Sequence, residues 1–548
     1  MVKVHRKNRM DEKNLNGLDT DLKDPPFPSA EIIQISPIEA RAKTEDILTA
    51  AKGGGISFAG RLFEYVVRFA FGILIARVVG VEQYGLYTLA ITVSLIASNM
   101  AMLGLQTGMV RFLPPAIRMK DDQSIWEIIQ VCVGIPVFFS LLLALGIYLL
   151  ASPLASLLFH DPRMVPLLRI VSLLIPLDAL ASMTYVITIS FKQPKYSVIT
   201  NNIISPLLKL LLAAGFLAVG LSTKGVLLAQ IISTAIALVV LIYYVNSLFS
   251  LKRVQGSSKR LTWKLLSYSL PVHMGWMVNT LRSTFSTLIL GFLGLAIGVG
   301  VYTAASRFSL IGQMFYLSIG NISTPIIADL HSHGETSQMK AYYQTTTRWL
   351  LLFNLPVFLT SFLFAKQLLW IFGDDFTTGA TSMMILAVGT LAYTSTGVGA
   401  NILDMTDHPK VNTANAVVMV FITIILNILF VPKWEVVGAA IASAISTVLI
   451  NIVCLVEVWV LLKMQPYDRS LFKPLAAGVA ASLVAILINY FLDFPELIQL
   501  IVGGGMLWIV YALVLFFLRF PPDDRVVFER LISRVRAKRP TTQDVKSC

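Results

Sequence analysis

Apolar residues run along this chain in long unbroken stretches, with the polar residues gathered in short clusters between them. Each stretch matches or exceeds the roughly 20 residues that a helix needs to cross a hydrocarbon layer. Six such segments lie near residues 56–79, 84–107, 124–151, 164–190, 196–219 and 223–249. A basic loop at 252–260 follows. Six more lie near 263–292, 295–329, 341–365, 377–401, 409–431 and 435–462, and two further ones near 470–491 and 496–518. The pattern predicts an all-α polytopic membrane protein of about fourteen spans. The 295–329 segment is longer than one crossing and is expected to tilt, bend or project beyond the bilayer.

The first segment breaks the pattern from within. It carries Arg61, Glu64 and Arg68, spaced by three and then four residues, so their side chains share one helical face. Each such charge costs roughly 2.5–3.5 kcal/mol at a bilayer centre, so the stripe is expected to face a water-filled cavity inside a bundle. The segment also recurs. Arg68, Phe71 and Gly80 line up with Arg282, Phe285 and Gly294, each 214 residues on (282 − 68, 285 − 71, 294 − 80). Tyr87-Thr88, Pro194-Lys195 and Ile232-Ser233-Thr234 recur at Tyr302-Thr303, Pro409-Lys410 and Ile445-Ser446-Thr447 at nearly the same offset. Two lobes of six spans follow. Six is even, so both lobes enter the membrane in the same direction and are related by a pseudo-two-fold along its normal. The expected division is a disordered cytoplasmic tail at 1–43, lobes at 44–255 and 256–465, two extra helices at 466–520, and a second cytoplasmic tail at 521–548.

Composition agrees. The chain is 56% hydrophobic and 14% charged, against roughly 25% charged in a soluble domain. Its net charge of +13 reads as membrane-flanking cations rather than a nucleic-acid surface, because Lys and Arg crowd alternate loops. One set of loops holds Arg111, Arg118, Lys120, Lys192, Lys195, Lys259, Arg260, Lys340, Lys410, Lys463 and Arg469, besides Lys252 and Arg253. The other set holds only Arg163, Lys224 and Lys433 and is instead acidic, with Glu82, Asp161, Asp374, Asp375, Glu435, Asp493 and Glu496. That asymmetry puts both termini in the cytoplasm, in a multi-pass protein of the cell membrane. The first 50 residues hold no apolar core of a signal peptide. Cys132, Cys454 and Cys548 have no metal or disulfide spacing.

Residues 53–90, and above all the run ARVVGVEQYGLY at 76–87, resemble the opening helix pair of the Wzx-type polysaccharide-lipid flippases. These belong to the multidrug/oligosaccharidyl-lipid/polysaccharide superfamily, and the two-lobe plan resembles it throughout. The resemblance implies a transporter, not an enzyme, that works by alternating access without a cofactor. It implies a polyprenyl-pyrophosphate-linked oligosaccharide as substrate, membrane lipids as surroundings, and a glycan polymerase or other assembly proteins as possible partners. Nucleic acid is not among them.

Such a substrate has an anionic pyrophosphate, a polar glycan and an apolar tail. Arginine suits phosphate oxygens through its fixed donor fork. Arg68 and Arg282 are the first candidates to bind it, then Arg61 and Arg307, with Arg61 also placed to snorkel at an interface. A pairing of Glu64 with Arg61 or Arg68 that only locks helices together stays open. Arg77 reads as an anchor. Glu64 and Asp178 are candidates for a coupling ion. Lys209, Asp329, Glu457 and several asparagines, Asn201 among them, also lie at depth. His331 and His333 read as a solvated helix end rather than a metal site.

Two sibling functions compete. A multidrug extruder would favour acidic cavity residues, against the arginines here, whereas a lipid II flippase shares the basic cavity. A membrane-embedded glycan polymerase or ligase would need a large outer loop, and the outer loops are a handful of residues. No Gly-rich Lys-Ser/Thr nucleotide motif is present. The charge asymmetry makes a direct prediction. With single cysteines at Asp375 and Lys259 in a background without native cysteines, an impermeant thiol reagent added outside labels only position 375. The reverse pattern overturns the topology.

Overall fold

A computed structural model of the chain describes residues 37–248, 259–491 and 495–518. Both expected tails, apart from 37–43, and the core of the basic loop therefore lie outside the described residues. The chain divides into two compact units, 1–55 and 56–548. From the first, only helical backbone from Pro37 onward is described, including the stretch 37–43 that was expected to be unstructured.

The described residues are helical with no strand. A lipid-facing backbone must satisfy every N–H and C=O internally, and long apolar helices do so. In chain order they are α1 (Pro37–Met102) and α2 (Leu105–Met119). There follow α3 (Asp122–Leu149), α4 (Met164–Ser190), α5 (Lys195–Ala218) and α6 (Ser222–Leu248). The second half runs through α7 (Lys259–Phe292), α8 (Ala296–Ser332), α9 (Thr336–Leu363), α10 (Asp374–Ser395) and α11 (Pro409–Leu462). Last come α12 (Arg469–Phe491) and α13 (Glu496–Phe517). Among the described residues, ten of these are long and apolar enough to cross a membrane. α1 and α11 are each two helices joined at a break, at Gly80 and at Glu435. Span two ends earlier than the apolar pattern suggests. The chain turns at Leu103 and Gly104, both at positive φ, and α2 leaves as a separate amphipathic helix.

The repeat reaches the backbone itself. Left-handed residues end helices at matching places in the two halves. They pair as Gly80 with Gly294, Lys120 with Gly334, His160 with Gly373, Lys192 with Asp407, and Ser222 with Glu435. Every pair keeps the separation of the sequence repeat to within one residue. Six of the ten residues are not glycine and only one pair, Gly80 with Gly294, is glycine in both halves, so the match reflects turn geometry rather than a shared glycine.

The halves touch through a matched pair of glycines. A Cβ on Gly85 would run into the backbone carbonyl of Ala296, and one on Gly300 into that of Val81. Gly85 and Gly300 are repeat equivalents, as are Val81 and Ala296, so the contact is self-complementary, as across a two-fold axis. Small residues let helix backbones approach this closely. Beneath the seam an apolar core spans both halves, with Phe71, Ile75 and Tyr84 from one and Val301, Phe308, Phe372 and Phe376 from the other. Phe69 packs edge-on against Phe308 and Phe372, and Tyr84 against Phe376. At the other end α2 crosses α7, with Gly104 and Gly108 set against Ser269. There the Arg111 guanidinium lies 4.2 Å from the Tyr268 ring centre. α12 and α13 pack on each other around Ala477, Ala481, Ala485 and Leu507, and join the bundle through Leu355 and Phe364 on and just beyond α9.

The glycine seam predicts its own sensitivity. Gly85→Val or Gly300→Val should each cost about 1–3 kcal/mol and lower the midpoint of thermal unfolding of the purified protein. A midpoint unchanged in both variants would show that the halves do not meet there.

Candidate functional site

Below the aromatic core, side chains from α1, α4, α5 and α8 bring charge together. Arg68 on α1 lies 12 residues from the Gly80 break and Arg307 on α8 lies 13 from Gly294. At 1.5 Å per residue both sit roughly 18–20 Å from that end of the bundle. The Arg68 guanidinium donates to Glu64 Oε1 at 2.7 Å, the i,i+4 pairing of one helical face. The second oxygen of Glu64 accepts from Asn202 Nδ2 at 2.6 Å. Glu64 is thus held between two helices and only 18% exposed, whereas the Arg68 side chain is 60% exposed.

Arg307 reaches across from the second half. Its Nη1 donates to the main-chain carbonyl of Arg68 at 3.1 Å, and its guanidinium lies 5.8 Å from the Tyr84 ring centre. Gly72 makes this possible, because a Cβ there would run into the guanidinium. The Lys209 ammonium on α5 sits 4.3 Å from the Phe71 ring centre, an arrangement in which the ring face offsets part of the lost hydration. Arg68, Arg307, Asp178 and Glu64 all act on Lys209 electrostatically, and Asp178 feels Lys209 and Arg68. Three cations and two carboxylates therefore share one region between the halves.

Arg282 occupies the place in α7 that Arg68 has in α1, with different company. Val278 stands where the first half has Glu64, and Arg282 donates instead to Oδ1 of Asn279, one position nearer, at 3.3 Å. Tyr393 on α10 lies within electrostatic reach. The first-half arginine thus has a carboxylate partner and the second-half one a neutral amide. Among the described contacts, Arg68 is joined to Arg307 and Lys209 rather than to Arg282. Arg61 is exposed and enters no ion pair among the described residues. Arg77 is an anchor: its Nε and Nη2 donate to the carbonyls of Ile371 and Trp370 at 2.7 and 3.1 Å. These carbonyls lie at the end of the short helix Ala365–Trp370, where that of Trp370 also accepts from the Gly373 N–H at 3.0 Å.

Two members of the cluster are absent from the sequence reading. Asn202 lies in a π-helical turn, Ile199–Ile204, that precedes the regular helix of α5. The sequence singles out its neighbour Asn201 among the asparagines at depth and does not say which of the two meets Glu64. Gly72 aligns with Ser286, a small residue in both halves, but nothing in the chain says that an arginine 235 positions away needs the room. His331 meets Asp407 at 3.2 Å. No trio of His, Cys, Asp or Glu is placed to hold a metal among the described residues. Outside the spans, Arg163 binds both Glu82 at 2.6 Å and Asp161 at 2.8 Å, and its hydrogen bonds hold both carboxyls below their ordinary range.

Residues 50–331 match the sequence profile of the polysaccharide biosynthesis protein family. The chain belongs to that family. Residues 271–431 also match the MatE profile, so the two profiles lie largely on successive halves. A succinoglycan biosynthesis transport protein, ExoT of Rhizobium meliloti, is 24% identical over 91% of this chain and 98% of its own length. A probable low-salt glycan biosynthesis flippase of Haloferax volcanii, Agl15, is 24% identical over 36% of this chain and 41% of its own. Among solved structures, the lipid II flippase MurJ in an inward closed conformation superposes with a TM-score of 0.69, at 15% identity, over 87% of this chain and 99% of MurJ. An inward-facing multidrug resistance transporter of the MOP superfamily gives 0.60 at 16% identity, over 73% and 94%. The family member described here thus has the fold of that superfamily, as its two-lobe repeat implies.

The packing of Arg307 against Gly72 can be checked by a double-mutant cycle. Gly72→Ala should cost about 1–3 kcal/mol through overpacking. In an Arg307→Ala background the same change should cost much less. Equal costs in both backgrounds, from thermal unfolding of the purified proteins, would separate the two residues.

Proposed function

We propose that this protein is a membrane flippase that moves a polyprenyl-pyrophosphate-linked oligosaccharide from the cytoplasmic to the outer leaflet. It does so by alternating access of two lobes, 44–255 and 256–465, with both termini cytoplasmic, and serves surface polysaccharide or glycan assembly. The observation that carries this reading is the grouping of Arg68, Lys209 and Arg307 at mid-span, on helices of both halves, in a chain of the polysaccharide biosynthesis family. Cations from different lobes around one region change their separation when the lobes rock, so an anion bound there is linked to the cycle. Arginine forks give a pyrophosphate paired donors. Arg282, partnered by an amide rather than a carboxylate, is the cation with most to gain from an anionic ligand. Arg61, exposed on α1, meets the substrate on its way in. Glu64 competes with the pyrophosphate for Arg68, and Glu64 and Asp178 carry the coupling ion.

The names of the relatives support the same reading, since they describe transport and flipping in succinoglycan and glycan biosynthesis. The likeness to MurJ favours lipid II as the second substrate to try. The test is transfer of lipid-linked oligosaccharide in proteoliposomes, with the amount of folded protein checked for each variant. Arg282→Ala and Arg307→Ala should each slow transfer at least about tenfold, while Arg282→Lys, which keeps charge without the fork, recovers part of it. Full transfer by an Arg68→Ala/Arg282→Ala double variant would overturn the role of these residues. Transfer of lipid II alone would move the assignment to that sibling activity.

A further inference from the structure

A second site lies at the opposite end of the second half, away from the charge cluster. Here the α7–α8 turn, the start of α10 and the break in α11 converge, and Glu82 joins them from the first half. They enclose a cleft of about 480 Å³, within the usual ~300–1,000 Å³ of small-molecule sites. The loop charges assign this end to the outer face.

The lining is chemically mixed. α8 starts at Ala296 behind Leu295, whose side chain cannot cap it. The first-turn N–H groups of Ala296, Ile297 and Gly298 thus line the cleft as free donors. Ser382, 1% exposed, lines it too, and its Oγ finds no hydrogen-bond partner among the described residues. Glu82 and Glu435 supply carboxylate acceptors. The Glu82 carboxylate is held in place by Arg163. Trp434, 52% exposed, adds an indole face beside them.

We infer that this cleft is a carbohydrate subsite that takes a neutral pyranose through donors on one wall, carboxylates on the other and the Trp434 ring as platform. Two carboxylates disfavour an anion such as phosphate, and a row of N–H donors with a hydroxyl disfavours a bare cation. A polyol both donates and accepts at each hydroxyl, and its C–H face suits the negative face of an indole. The repeat sharpens the point. At this turn Ser222 stands opposite Glu435 and Leu221 opposite Trp434. The first half keeps a left-handed residue at this place without this chemistry, so that backbone position alone does not require it.

That the sugar belongs to a translocated glycan rests on the flippase reading; that the cleft binds a sugar does not. The full chain in nanodiscs is titrated with methyl glycosides of glucose, galactose, N-acetylglucosamine and glucuronic acid, read by saturation-transfer NMR. Neutral glycosides should show transfer to ring protons, with dissociation constants of about 1–10 mM. Trp434→Ala should weaken binding at least about fivefold, and Glu82→Gln/Glu435→Gln, which keeps the bulk of the side chains, should weaken it as well. Trp263→Ala, an exposed tryptophan on α7 outside the cleft, should change nothing. Absence of transfer from any glycoside overturns the site, as does binding that the Trp434 and glutamate variants leave unaltered. The second result would make Trp434 a membrane anchor. Lipid-linked oligosaccharide transfer is measured on the same preparation. Transfer without glycoside binding refutes the cleft and leaves the flippase reading standing. Glycoside binding without transfer does the reverse.

Discussion

Everything else in the bundle depends on the close approach of two equivalent glycines, Gly85 and Gly300, each against a backbone carbonyl of the other half. Helices that meet without side chains between them bring their neighbours into register, which lets Phe69, Tyr84, Phe308 and Phe376 close over the contact as a continuous aromatic layer. In a membrane there is little hydrophobic drive to hold helices together, so packing of this kind has to supply the cohesion. It also sets where charge can go. The mid-span cluster lies on the far side of the aromatic layer, so that layer separates Arg68 and Arg307 from the end where Glu82 and Asp161 meet Arg163.

The two halves share turns but differ in the residues they present. The first half neutralises its α1 arginine with Glu64 and surrounds it with Lys209 and Asp178; the second gives Arg282 an amide. At the other end the second half alone has Trp434 and Glu435 at the shared turn. A duplicated scaffold that keeps its left-handed turns while its side chains diverge can assign different parts of one amphiphilic ligand to different ends. Charge at mid-span and mixed hydrogen-bonding groups near the surface suit a molecule with an anionic linker and a polar head.

The all-helical membrane character, the repeat of the halves and the loop asymmetry were legible in the chain because each rests on local or periodic information. Apolar length decides what can cross a membrane, and the recurrence of Arg68, Phe71 and Gly80 at Arg282, Phe285 and Gly294 needs only counting. The i,i+4 spacing of Glu64 and Arg68 likewise announces the ion pair that forms. What the spacing leaves open is partnership across helices. Repeat equivalence pairs Arg68 with Arg282, while contact joins it to Arg307, because equivalence under a two-fold says where residues correspond and not which ones touch.

The chain by itself thus determined an all-helical membrane bundle with a duplicated plan and an arginine at the same place in each half, since hydrophobic length, charge cost and turn residues are written locally. Only the tertiary structure decided which charges meet. Asn202 rather than Asn201 meets Glu64, Gly72 admits the guanidinium of Arg307, and the first turn of α8 comes to face Glu82, Ser382 and Trp434. Those outcomes depend on how far one helix is rotated and how closely it lies to a partner hundreds of residues away, and that is settled by packing between helices rather than by any pattern within one.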